Sequence, residues 1–134
     1  MSRVVLDTNV LVSGLLFDGP PGALLHLALV GDLDLVLSSA LLSELERVLH
    51  RKFPHADAMA WETLAILKDT ADLVTPTSRL IVIADDVDDN RVLECALDGR
   101  ADTMVSGDRH LLALKTFRHI RILSPREYLA SLHR

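Results

Sequence analysis

The chain predicts an α/β fold in which a parallel sheet is covered by helices on both faces. Short apolar runs of strand length, such as Val4-Val5-Leu6 and Thr103-Met104-Val105, alternate from end to end with longer helical patterns. Those runs are apolar throughout and do not alternate with polar residues, which suits strands buried on two faces. A third observation bears on function: Asp7 closes the first run and Asp108 follows Ser106-Gly107 just past a later one. Ligands of open parallel sheets bind beyond the carboxyl ends of the strands, near the point where strand order reverses. Both acids stand at that rim.

Taken in order, Val4-Val5-Leu6 is the first strand, and Val10 to Phe17 is a helix stopped by Asp18-Gly19-Pro20-Pro21. A strongly apolar helix from Gly22 to Val30 ends at Gly31-Asp32, and Leu33 to Leu37 is the second strand. Ser38 or Ser39 caps a helix from Ala40 to about Lys52, halted by Phe53-Pro54. Ala56 to Ala71 is helical, with Trp61, Leu64 and Leu67 on adjoining faces, and is followed by Leu73-Val74-Thr75-Pro76. Leu80 to Ile83 reads either as a short strand or as an extended approach to an acidic loop. Asp89 to Leu97 is helical, Thr103 to Val105 a strand, His110 to Leu114 a short helix and Ile120 to Leu123 the last strand. Pro125 opens a closing helix through Leu132, since proline fits the first helical turn. Without linker, repeat or low-complexity stretch, residues 1–134 are expected to form one domain.

Apolar residues are 49% of the chain and aromatics 4%, so the core is aliphatic and disorder is excluded. No stretch approaches the roughly 18 apolar residues of a membrane helix, and Asp7 and Asn9 interrupt the apolar N-terminus. A soluble, cytoplasmic protein with no membrane partner is expected. The single cysteine, Cys95, excludes an internal disulfide and reads as a buried small hydrophobe, and the six histidines show no zinc spacing. The net charge of −5 is unevenly spread. Acids gather at Asp85, Asp86, Asp88 and Asp89, whereas Arg109 to Arg134 holds six Lys/Arg against one acid, Glu127. That arrangement suits a metal beside a polyanion, although a basic surface without a partner has the same composition.

Asp7, Glu44, Asp89 and Asp108 are the candidate metal ligands. Carboxylates brought together repel unless a cation lies between them, and hard oxygen donors point to Mg²⁺ or Mn²⁺. At about 100° per residue, Asp89 projects with Val92, Leu93 and Ala96 toward the sheet, but a simple N-cap suits it equally, and Asp88 could fill that role too. Glu44 and Glu46 flank the stripe of Leu41, Leu42, Leu45, Val48 and Leu49 at similar angles, so periodicity does not choose between them. Asp7 and Asp108 also suit ordinary helix starts.

The ordered set Leu6-Asp7-Thr8-Asn9-Val10, Ser43-Glu44-Leu45, Asp86-Val87-Asp88-Asp89-Asn90 and Thr103-Met104-Val105-Ser106-Gly107-Asp108 with His110-Leu111-Leu112 resembles the PIN-domain ribonucleases, closest to their toxin–antitoxin branch. The resemblance implies a three-layer α/β/α fold with a central, mostly parallel sheet and an acidic pocket for one or two Mg²⁺ or Mn²⁺ ions. By position it places the catalytic and metal-binding acids at Asp7, Glu44, Asp89 and Asp108. Asp89 is preferred to Asp88 because it lies seven residues before Ala96. Asn9 and Ser106 match residues that support the first and last acids, and Gly107 stands where many relatives carry Arg or another polar residue. An RNA substrate, a cognate antitoxin protein and a homodimer are the implied partners. The basic segment would supply phosphate contacts, with Arg109, Arg118 and Arg121 the candidates.

Competing readings are a non-catalytic PIN-like module regulated by a partner protein and a phosphohydrolase using an aspartyl nucleophile. Haloacid-dehalogenase-like enzymes of the second kind carry another Asp two residues after the first, where this chain has Asn9. Receiver-type signalling domains need a late strand-end lysine, and Lys115 falls in the wrong element.

Overall fold

The computed structural model describes residues 2–82 and 87–132. Ile83, Asp85, Asp86 and Arg134, which figure in the sequence reading, lie outside the described residues. The elements run β1 (Arg3–Leu6), α1 (Thr8–Leu16), α2 (Pro20–Leu29), β2 (Asp34–Ser38), α3 (Ser39–Lys52), α4 (Ala58–Thr70) and β3 (Asp72–Val74). They continue α5 (Val87–Asp98), β4 (Thr103–Val105), α6 (Arg109–Leu114), β5 (Thr116–Phe117), β6 (Ile120–Leu123) and α7 (Pro125–Ser131).

The strands form a six-stranded sheet in the order β3-β2-β1-β4-β6-β5. Every pairing is parallel except β5 with β6. Alternation along each strand divides the core into two layers. Val4 and Leu6 of β1, Leu35 and Leu37 of β2 and Val105 of β4 face the cluster built with α1, α2, α3, α4 and Tyr128 of α7. Val5, Val36, Met104, Ile120 and Ile122 face the other way, onto Val92, Leu93 and Ala96 of α5 and Leu111 of α6. The expected three-layer α/β/α architecture with a mostly parallel sheet is therefore observed.

One local expectation is corrected, and two short edge strands are found where none was expected. Pro20-Pro21 does not end α1 but opens α2: Gly19, with φ 113°, turns the chain, and the prolines occupy the first helical turn, where no N–H is needed. Asp72–Val74 pairs with β2 as a short edge strand that its exposed residues did not announce. Thr116–Phe117 adds an antiparallel edge, folded back through Arg118 and His119 at positive φ. Leu80, Ile81 and Val82 form no strand among the described residues. Instead, the Leu80 and Val82 N–H groups donate to Glu94 and Asn90 of α5 at 2.8 and 2.9 Å.

No single described helix is long and apolar enough to cross a membrane. The α1 and α2 pair would be so by length and composition but is bent by 91°, and the pair contributes Val10, Leu11, Leu24 and Leu25 to the core.

Candidate metal centre

Strand β1 leads to β2 on one side, while β4 lies on its other side, so strand order reverses between β1 and β4. At that crevice the carboxyl ends of both strands deliver acids. Asp7 continues the ladder one residue beyond β1, its N–H donating to Val105 O at 2.9 Å. Its side chain then turns back as the N-cap of α1, where Oδ1 accepts from Thr8 N at 2.7 Å. Asp7 is buried, and so is Thr8, whose hydroxyl has no hydrogen-bond partner among the described residues.

Ser106 does the same for β4. Its N–H donates to Leu123 O at 3.0 Å, which fixes the residue at the rim. Its fully buried hydroxyl donates to Asp7 Oδ2 at 2.8 Å and accepts from Asp108 N at 2.9 Å. Asp108 caps α6, with Oδ1 accepting from His110 N at 2.8 Å and Leu111 N at 3.2 Å. Oδ2 accepts nothing among the described residues and is available to an ion.

From the other layer, α5 presents its first turn to the same crevice. Asp89 is buried and Asp88 exposed, so of the two it is Asp89 that faces inward. A carboxylate at a helix start is stabilised by the dipole and the first-turn N–H groups. One donor atom each from Asp89, Asp108 and His110 lies within 4.8 Å of the other two. Asp7 and Glu44 fall outside that mutual spacing. Asp7 is tied to Asp108 through Ser106, and Glu44 is half-buried on α3. Glu46, its competitor across the stripe, is engaged by Lys68 of α4 at 3.2 Å. Asn9 is exposed on the first turn of α1 and makes no side-chain hydrogen bond among the described residues.

His110 was not read from the sequence as a site residue. Its place two residues after Asp108 was the available signal, but its approach to Asp89 depends on how α6 and α5 pack. Two carboxylates and an imidazole are a donor set that fits a divalent cation.

Around the acids, Glu94 of α5 is buried and receives Arg91 at 2.7 and 2.8 Å, with Arg79 at 3.5 Å. These residues, with Ser38, Ser39 and Thr75, line a cavity of about 210 Å³ beyond the carboxyl ends of β2 and β3. Arg109 is exposed beside Asp108. Arg121 pairs in register with Thr103, toward the amino end of β4, and Arg118 precedes it in the β5–β6 turn, over the Phe117 ring. Neither lies at the acid rim. A larger cavity of about 610 Å³ is lined by Leu16, Phe17, Phe53, Pro54, His55 and Met59, but by none of the four candidate acids. Its size does not outweigh the convergence of metal donors at the rim.

Fold and site together define a nuclease-type α/β/α domain with residues placed to hold a metal ion. Residues 3–110 match the PIN domain family, and the chain belongs to that family, whose members are generally nucleases. No curated protein was found that matches the chain.

Proposed function

We propose that this protein is a Mg²⁺- or Mn²⁺-dependent endoribonuclease, the toxin of a toxin–antitoxin pair. The observation that carries the nuclease reading is the convergence of Asp89, Asp108 and His110 at the crevice where Asp7 is held, in a chain of PIN-domain membership. A divalent ion there would supply Lewis-acid charge and lower the pKa of a bound water. Asp89 and Asp108 would hold that ion, and Asp7 would complete the negative wall from β1. Glu44, half-buried on α3, would orient the attacking water.

RNA phosphates meet Arg109 beside Asp108. On the other side of the crevice, Arg79 and Arg91 offer guanidinium groups at the cavity beyond β2. Arg118 and Arg121, toward the amino ends of the strands, contact only RNA long enough to pass around the sheet edge. A small antitoxin protein and a second copy of the chain are the proposed protein partners.

The test is cleavage of single-stranded RNA by purified protein with Mn²⁺ or Mg²⁺, with and without chelator. Metal-dependent endonucleolytic products are expected; cleavage surviving exhaustive chelation, or none under any metal, would overturn the nuclease reading. For the toxin role, expression should arrest growth, and co-expression of a partner from an adjacent reading frame should relieve the arrest.

A further inference from the structure

We infer that His110 is a ligand of the metal and makes the centre prefer Mn²⁺ to Mg²⁺. This rests on the metal-dependent reading above, but it assigns to an imidazole what the acids alone would leave unselective.

The geometry starts at α6. Asp108 as N-cap and His110 in the first turn are fixed relative to each other by one helix start, because Asp108 Oδ1 accepts from the His110 and Leu111 N–H groups. That capping consumes Oδ1 and leaves Oδ2 for an ion. The imidazole is not consumed by the acid: Nδ1 lies 3.9 Å from Asp108 Oδ1, too far for a hydrogen bond. Asp89 belongs to α5, so the three donor atoms come from two elements and stand within 4.8 Å of one another. Three donors about 2.1 Å from a shared ion average no more than ~3.6 Å apart, so side-chain shifts of up to about an ångström close the set. With 59% of its side chain exposed, His110 has room to make that shift.

The chemistry sets the preference. Mg²⁺ demands near-ideal octahedral oxygen coordination and gives up water reluctantly, whereas first-row transition ions accept imidazole nitrogen. A carboxylate-only centre would bind both through the same oxygens. Replacing one oxygen by nitrogen favours the transition ion, and His110 is the residue that makes the replacement.

The experiment measures Mn²⁺ binding by electron paramagnetic resonance and Mg²⁺ by competition, on the wild type and on His110→Ala. We expect Mn²⁺ affinity to fall about tenfold or more while Mg²⁺ affinity changes less than about twofold. Equal losses for both ions, or no loss for either, would overturn the assignment while leaving a metal-dependent nuclease intact. If the wild type binds neither ion, the metal-dependent reading fails as well. A second measurement needs no variant: Mn²⁺ at low stoichiometry should broaden the His110 ring resonances of the wild type beyond those of the other described histidines. Equal broadening would overturn the proposal.

Discussion

Ser106 donates its hydroxyl hydrogen to the carboxylate of Asp7 across ninety-nine positions of sequence, and the same oxygen receives the N–H of Asp108. One buried hydroxyl thus sets the orientation of two acids that adjacent strands deliver to the crevice. Ser106→Ala removes a donor to a buried carboxylate and leaves a backbone N–H without its acceptor. Hydrogen bonds to charged groups contribute about 1.5–3 kcal/mol, and a loss of that order in urea denaturation is expected. In the proposed nuclease, turnover should fall more than RNA affinity, because the change lies at the reacting centre. A loss below ~0.5 kcal/mol would show that the hydroxyl does not hold the acids.

Asp7→Asn separates charge from architecture. The amide oxygen can still accept from Thr8 N, so α1 keeps its cap, and one negative charge leaves the crevice. At the other oxygen the Ser106 hydroxyl loses its charged acceptor, so relief of repulsion and loss of that bond oppose each other. We expect a thermal midpoint near that of the wild type, with metal-dependent RNA cleavage abolished. Retained full cleavage would remove Asp7 from the mechanism.

Much of this was legible in the sequence because the buried strands are continuous apolar runs and the acids stand at their ends. What was hidden depended on tertiary neighbours. Glu44 and Glu46 look alike on a helical wheel, and only the approach of α4 shows that Lys68 engages Glu46. The inward Asp89 could not be told from Asp88 until the packing of α5 left the first buried and the second exposed. β3 and β5 carry exposed residues on short sheet edges, so hydrogen bonding with β2 and β6 creates them where hydrophobic pattern gives no sign. The prolines at positions 20 and 21 fit either a helix stop or a helix start, and the positive φ of Gly19 decides for the start.

Asp98 couples stability to acid. At the last residue of α5 it accepts from Thr77 N, Ser78 N and Ser78 Oγ at 2.7, 2.8 and 2.7 Å, tying the segment after β3 to the helix. The Ser78 N–H foremost, then its hydroxyl, holds the carboxyl below its usual value of 3.8, and the Thr77 N–H adds to this. A lowered folded pKa gives stability that is fully present above the unfolded value and disappears as pH falls through the folded one. Asp98→Asn should therefore lower the urea midpoint at pH 7 and leave it nearly unchanged at strongly acid pH. A deficit of the same size at both ends of the range would refute the linkage.

Cys95 gives the opposite limb. Its side chain is fully buried on α5, and burial foremost, with a smaller contribution from Asp98, pushes the thiol up to about 12 against the downward pull of a Ser38 hydrogen bond. A thiol held protonated in the fold is a poor nucleophile, so it should resist a thiol-specific disulfide reagent at pH 8 and react once urea unfolds the chain. The same shift predicts an alkaline loss of stability. The unfolded thiol ionises near 9.0 while the folded one does not, so the contribution is intact below that pH and is lost as pH rises toward 12. Cys95→Ala abolishes this titration, and its denaturation midpoint should converge on that of the wild type as pH rises from 8 to 11. Parallel midpoints across that range, or rapid labelling of the native protein, would show that the thiol is not held neutral by burial.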